Sequence, residues 1–441
     1  MKTIKYLILT SVLSIVSLAA SSQDTIQSEK IKTGWNFGAL PVVTYNSDLG
    51  FQYGALVNFF QYGNGDIYPE YYHSLYGEIS RYTKGSGIYR FFYDSKHLIP
   101  NVRLTTDISY LPDQALDFTG FNGYQAVYNK DWFDDESSKY KTRVFYKHKR
   151  NIFRTKIDFQ GKTGIKNVNW AAGINFMNYE IGTVDIDHLN KGKDGDRLLP
   201  DTATLYDHYV DWGIISDKEK NGGFFTNLKA GIVYDSRDNE PNPMKGLWSE
   251  VVVFQAFNKD FTFTKLAITH RQYFTLIKKR LSFVYRLGYQ GVIGGDAPFY
   301  MLPYMVSSFS NTSNNDGLGG SKTLRGIKRN RIVGKGVGYA NFEFRWRFYN
   351  FHFIKQNFYL AFNPFMDMGQ VVQEYEIDLS KVPDDEKSQY FNDQKDKLHI
   401  SYGAGLHIVM NQNFIIAADV GLPVDKQDGN MGVYIGLNFL F

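Results

Sequence analysis

The sequence predicts an all-β protein: a closed, antiparallel transmembrane β-barrel, with sixteen strands expected and one long loop folded into its lumen. Three observations carry the barrel. The first is a period-two alternation of apolar and polar residues that runs from Gly34 onward. The second is a mean hydropathy of −0.34, which excludes a bundle of transmembrane helices. A barrel needs apolar side chains only at every second strand position, so it is compatible with that value. The third is the aromatic content, 32 Tyr and 35 Phe, which exceeds what a soluble core uses and suits girdles at two membrane interfaces.

The first element is an address. Lys2 and Lys5 precede the apolar run Tyr6–Ala20, and Ala20-Ser21-Ser22 offers a small-residue cleavage site. Residues 1–22 therefore read as a secretory signal peptide; the apolar run is short for a span of about 20 residues. Residues 23–33 are expected to be a short periplasmic segment and residues 34–441 the barrel.

Strand candidates follow in order. Leu281, Phe283, Tyr285, Leu287 and Tyr289 alternate with Ser282, Arg286, Gly288 and Gln290. Ala340, Phe342, Phe344, Trp346 and Phe348 alternate with Asn341, Glu343, Arg345 and Arg347. Ile400 to Met410 repeats the pattern against His399, Ser401, Gly403, Gly405 and His407. In the last strand Met431, Val433, Ile435, Leu437, Phe439 and Phe441 are expected to face lipid together. Strands of about ten or more residues are long for a soluble sandwich. An open sheet cannot sit in lipid with unpaired edge amides, so the sheet must close. The alternation supports sixteen to eighteen strands, with the ambiguity between Tyr72 and Thr163. No stretch stands out as a helix.

Connections alternate between short and long. Asn411-Gln412, Ile277-Lys278 and Tyr349–Gln356 are compact, whereas 183–222, 294–335 and 370–397 are long and polar. The long ones are expected outside the cell. Gly63–Tyr71 breaks this rule, being long on the expected periplasmic side.

Composition removes several classes. With no Cys there is no disulfide framework, thiolate metal site, Cys nucleophile or lipidated N-terminal Cys. Forty-nine Lys and Arg against 45 Asp and Glu leave a charge of +4, too balanced for a nucleic-acid binder. No G-x-S-x-G elbow, P-loop or H-E-x-x-H motif occurs. Asp185, Asp187, His188, Asp194 and Asp196 share a loop without EF-hand spacing, so they read as a solvated acidic loop. No catalytic residue, metal or cofactor is expected.

The remaining motifs narrow the family. Gly320-Ser321-Lys322-Thr323-Leu324-Arg325-Gly326-Ile327 lies in the long loop before the strand that holds Glu343. Tyr234-Asp235-Ser236-Arg237-Asp238-Asn239 is followed by Pro243 and Gly246, and Asn363-Pro364-Phe365-Met366-Asp367-Met368-Gly369 comes later. Tyr434, Gly436, Phe439 and Phe441 form an ending similar to a barrel-assembly signal. The ordered set resembles the BamA/TamA superfamily. The resemblance implies that the loop 294–335 folds into the lumen and that Arg325, beside Gly326, bonds Glu343 and Asp367. Strand parity agrees, because Glu343 and Asp367 fall on polar faces, and a guanidinium forks onto carboxylates as an ammonium does not. Ile327 stands where the family has an aromatic residue. Asp235, Arg237, Asp238, Pro243 and Gly246 are expected to form a pinned turn.

The resemblance also implies that the first strand, Trp35–Tyr45, pairs with the last, Asn430–Phe441. Pro41 lacks an amide donor and belongs at a weak edge, and Gly432 and Gly436 thin the same seam. Such a seam suits a lateral gate that accepts a client strand. The family's periplasmic repeat domains have no counterpart between the expected cleavage site and the first strand, so a barrel-only member is expected. The leading expectation is insertion, assembly or translocation of proteins at the outer membrane. Its partners would be lipid and lipopolysaccharide, unfolded barrel clients and a periplasmic chaperone-like protein or lipoprotein. Homo-oligomers stay open. The rivals are a passive channel or small-solute transporter and a structural platform for a partner protein.

Overall fold

The computed structural model describes residues 31–68, 70–309, 314–353, 356–410 and 414–441, without the side chain of Asp196. The expected signal peptide lies outside the described residues, as does most of the segment after it. Sixteen antiparallel strands close into one barrel in simple sequence order. They are β1 (Trp35–Asn46), β2 (Gly50–Gln61), β3 (His73–Tyr82), β4 (Gly87–Ile99), β5 (Val102–Asp117), β6 (Lys147–Lys162), β7 (Val168–Gly182) and β8 (Gly222–Asp235). The second half comprises β9 (Gly246–Phe257), β10 (Thr262–Ile277), β11 (Leu281–Gly295), β12 (Gly336–Phe353), β13 (Gln356–Gln373), β14 (His399–Met410), β15 (Phe414–Pro423) and β16 (Gly432–Leu437). No helix among the described residues is long and apolar enough to cross a membrane.

The period-two pattern sets which face is which. Ile79, Phe91, Phe153, Ile232, Ile268, Phe344 and Leu406 are exposed on the outer wall, the arrangement that suits a lipid surround. Asp107, Lys156, Glu250, Glu343 and Asp367 are buried inside. Nearest-neighbour pairing satisfies the backbone groups along most of the wall, which is the condition for residing in lipid.

The structure corrects the sequence reading in four places. First, the inner face is not uniformly polar. Ile152, Tyr179, Phe225, Phe254, Phe263 and Val292 point inward near the long-loop ends of β6–β11 and are buried. They join Phe118, Phe121, Trp132, Phe145, Tyr209, Trp212, Phe299, Met301 and Tyr390 from four long connections in one hydrophobic cluster. Apolar residues are favourable on the inside there because protein, not water, fills the space. Second, three short helices sit in those connections: α1 (Ile186–Asn190), α2 (Leu205–Asp211) and α3 (Asp384–Tyr390). They are too short to show helical periodicity. Thr204 and Asp207 form a capping box on α2, and Leu205, Tyr209 and Tyr390 anchor α2 and α3 in the cluster. Third, the alternation of long and short connections fails at more places than Gly63–Tyr71. Residues 47–49, 83–86 and 258–261 are short turns at the long-loop end, and 62–72 and 236–245 are longer links at the opposite end.

Fourth, the last strand is shorter than Asn430–Phe441. It ends at Leu437, and Asn438 adopts φ +70°. Phe439 and Phe441 therefore do not join Ile435 and Leu437 on the lipid face. They turn inward, where Arg345 lies over both rings at 4.0 and 5.5 Å. Rings that find cationic and aromatic partners inside have no need of the lipid-facing position.

The seam is correspondingly brief. β1 and β16 register only at Tyr45–Ile435 and Asn46–Tyr434. One further backbone bond follows, from the Ser47 amide to the Val433 carbonyl (3.0 Å), and the Ser47 hydroxyl accepts from the Val433 amide (2.8 Å). The β1–β2 register is unbroken from Trp35–Gln61 to Asn46–Gly50. The Tyr62 amide donates to Gly34, so even-numbered residues of β1 bond toward β2. Odd-numbered residues bond toward the seam, as Ser47 does. Trp35, Phe37, Ala39, Pro41 and Val43 thus present their backbone to a side where no β16 residue is registered. Pro41 sits where its missing amide costs β1–β2 nothing.

Candidate functional site

The loop between β11 and β12 runs along the inner wall, and its Leu324-Arg325-Gly326 tip meets β12–β16. Arg325 is 1% exposed. Its amide and Nε donate to Oδ2 of Asp367 at 2.9 and 3.0 Å, and Nη2 donates to Oδ1 at 3.2 Å. Nη1 donates to Oε2 of Glu343 at 3.0 Å and lies 3.7 Å from Asp419. The guanidinium stacks on Phe365, 3.5 Å from the ring centre. Burial works against the Arg325 charge, but the carboxylates of Asp367, Glu343 and Asp419 outweigh it and raise the pKa above the usual arginine value. The carboxylates are themselves held: Asn341 donates to Asp367 (2.8 Å), Asn363 and Arg345 to Glu343 (2.9 and 2.8 Å), and His407 meets Asp419 (2.9 Å).

The wall is carved to admit the tip. Gly326 has φ +93°, a conformation costly for any residue with a Cβ. A Cβ on Gly421 of β15 would come within 2.6 Å of the Arg325 carbonyl group. A Cβ on Gly403 of β14 would strike Phe365 at 2.5 Å. Ile327, which replaces an aromatic residue of the family pattern, is buried with Leu318, Leu324, Ile332 and Val371.

The tip also touches both banks of the seam. The Gly326 amide donates to the Tyr434 hydroxyl on β16 (3.1 Å). Asn46 at the end of β1 donates to Ser321 (3.1 Å). The Lys328 amide donates to the Asp428 carbonyl just before β16 (2.8 Å).

The predicted residues therefore fall into three places. Arg325, Gly326, Glu343 and Asp367 come together, joined by Tyr434. Gly432 lies beside Tyr434, whose hydroxyl would be 2.1 Å from a Cβ there. Pro41 is on the open edge of β1, and Gly436 opposes Ala417 of β15 with no atom within 4 Å of a Cβ. Asp235, Arg237, Asp238, Pro243 and Gly246 lie at the opposite end of the barrel. There Arg237 forks onto Asp235 (2.9 and 2.7 Å), and Asp238 accepts from the amides of Met244 and Lys245 (3.0 and 3.1 Å). Pro243 is buried, and Gly246 takes φ +99°. That turn braces the mouth: Glu240 meets Arg103 of β5 (3.2 Å), and Asn242 bonds Tyr359 of β13 and Arg347 of β12.

Sequence reasoning missed Asp419, Phe365, Gly421 and Ser321. Gly403, Gly405 and Gly421 on adjacent strands were the available signal, because glycines within strands mark close approach of another backbone. Among the described residues no group of three metal-ligating side chains forms a metal site.

A model of the Omp85 superfamily domain matches residues 116–441. The chain belongs to the Omp85 superfamily. This is the grouping to which the motifs point. Among solved structures, this Omp85 barrel is similar to BamA from Haemophilus ducreyi lacking POTRA domains 1–3, at 14% identity and a TM-score of 0.54, over 97% of this chain and 77% of that one. It is also similar to CdiB from Escherichia coli, at 9% identity and a TM-score of 0.51, over 94% of this chain and 64% of CdiB. At these identities the likeness carries the fold alone. A search of curated protein sequences returns no match. Membership of the Omp85 superfamily with this barrel fold implies the bacterial outer membrane.

Proposed function

We propose that this barrel inserts or translocates other proteins at the outer membrane by presenting the open edge of β1 to a client strand. The observation that carries the reading is the seam, registered at two residue pairs and leaving the seam-facing backbone of Trp35–Val43 without a strand. Unpaired edge groups in lipid are costly, and an incoming strand satisfies them without ATP. The outward side chains of this stretch, Trp35, Phe37 and Val43, are exposed and apolar, so an added strand that also faces lipid continues the wall. Arg325, held by Asp367 and Glu343, fixes the loop tip against both banks and keeps the barrel shaped while its seam works. The pinned turn from Asp235 to Gly246 stiffens the periplasmic mouth. The ending from Tyr434 to Phe441 serves the chain's own assembly. Export through the cleaved signal peptide delivers it to the outer membrane, with lipopolysaccharide around the extracellular rim. A separate periplasmic protein delivers the clients.

The test is a reversible lock. Continued by one residue, the register would oppose Thr44 to Gly436, and the chain contains no Cys. Thr44→Cys/Gly436→Cys in liposomes should accelerate insertion of a urea-unfolded outer-membrane barrel when reduced and fail when oxidised. Equal rates in the two states would refute strand addition at this seam.

A further inference from the structure

The segment after β16 leaves the wall at a defined point. The Asn438 amide still donates to Ile415 of β15 (3.0 Å), but φ +70° at Asn438 sends the next residues inward. Phe439 packs against His407 with ring centres 5.0 Å apart, under the guanidinium of Arg345 at 4.0 Å. The Phe441 ring lies 5.0 Å from Arg286, and its carbonyl oxygen accepts from Arg345 Nη2 at 2.7 Å. Arg345 Nε donates to one oxygen of Glu343 (2.8 Å), and Arg325 holds the other (3.0 Å). One carboxylate thus joins the loop tip to the inward segment.

The alternative position of this segment is set by the register. Continuing β16 opposite β1 would bring Leu440 to Leu40, Phe439 to Pro41 and Phe441 to Ala39. The seam-facing bonds belong to odd-numbered residues, so Phe439–Pro41 would be a hydrogen-bonded pair with one donor missing. Zipping the seam with this segment therefore gives up a ladder bond at its centre, as well as the contacts with Arg345, Arg286 and His407.

We propose that Arg345 is a latch that retains residues 438–441 inside the barrel and so keeps the stretch of the β1 edge from Ala39 to Val42 vacant, with Pro41 disfavouring re-closure. Arg345 is a positioning residue: it acts on the segment that competes for the edge. Glu343 couples the latch to Arg325, so release of the loop tip loosens the segment too. The inference rests on the proposed function only in treating the vacant edge as the client's place.

The test needs no client. Leu40 and Leu440 would be a non-hydrogen-bonded cross-strand pair when the segment zips, a geometry in which a disulfide forms readily. The purified Leu40→Cys/Leu440→Cys barrel, in detergent under mild oxidant, should cross-link slowly. Adding Arg345→Gln should accelerate cross-linking at least tenfold, Arg345→Lys should fall between, and Pro41→Val should accelerate it with the latch intact. Heat-modifiable gel migration checks folding in each case. If Arg345→Gln does not fold, Phe439→Ala removes the stacked ring without disturbing the charges and should accelerate as well. Rates that do not respond to Arg345 or Phe439, or complete cross-linking of the latched protein at the first time point, would overturn the proposal. Because no client is present, that failure would leave the Thr44–Gly436 experiment standing, and the converse also holds.

Discussion

At the scale of single residues, the interior is governed by which buried charges find partners. Arg325 has three carboxylates and an aromatic face, and together the carboxylates outweigh its desolvation. Asp48, in the turn after β1, is the opposite case. Its amide donates to Asn46 (2.8 Å), but its Oδ2 is buried without a partner. Burial, then the charge of Asp117, pushes its pKa up to about 6, against partial relief from Arg329, Lys147 and Lys328. A carboxyl whose folded pKa exceeds its unfolded value binds its proton more tightly in the folded state. Its contribution to stability therefore falls as pH rises from about 4 to about 6, by on the order of 3 kcal/mol, and stays low above that. Asp48→Asn should accordingly raise the thermal midpoint of the barrel in detergent at pH 8 and change it little at pH 4. A shift of equal size at both pH values would show that the ionised form carries no penalty.

At the scale of elements, the first and last strands differ from their neighbours in how they are held. Each interior strand has two registered partners; β1 has one along most of its length. The hydrogen-bond phase makes this a prediction about alternate amides. Those of Asn36, Gly38, Leu40 and Val42 bond toward β2, while those of Phe37, Ala39 and Val43 face the seam. Amide exchange in micelles should be at least tenfold faster for the second set. Uniform protection along β1 would mean that the seam zips in solution. The period of two made these strands readable, and Pro41 marked the weak edge. The ending was read wrongly because parity assumes that a strand continues, and Asn438 ends it. Nothing local marks the point at which Arg345 and His407 draw the chain inward.

At the scale of the whole molecule, the long connections are a folded cap rather than solvated loops. Their aromatic residues and the inner faces of β6–β11 form one core, and the loop tip fills the space beside β12–β16. A barrel filled in this way should pass little ion current. Replacing residues 305–332 with a short Gly-Ser linker should raise unitary conductance in planar bilayers several-fold, provided gel migration shows a folded barrel. A wide steady conductance in the intact protein would favour the channel that the sequence alone could not dismiss.

The sequence by itself determined the barrel, its lipid-facing and inward residues over most strands, the order of the motifs and hence the family. It did so because these properties are local: alternation is set by pleating, and a motif by its neighbours in the chain. Only the tertiary structure decided the length of the seam, the inward course of Phe439 and Phe441, the apolar upper interior, and the joining of Arg325, Glu343 and Arg345 into one network. Those features depend on which distant segments occupy the lumen. An inward position beside water calls for a polar side chain and one beside a packed loop for an apolar side chain, and pleating cannot distinguish the two.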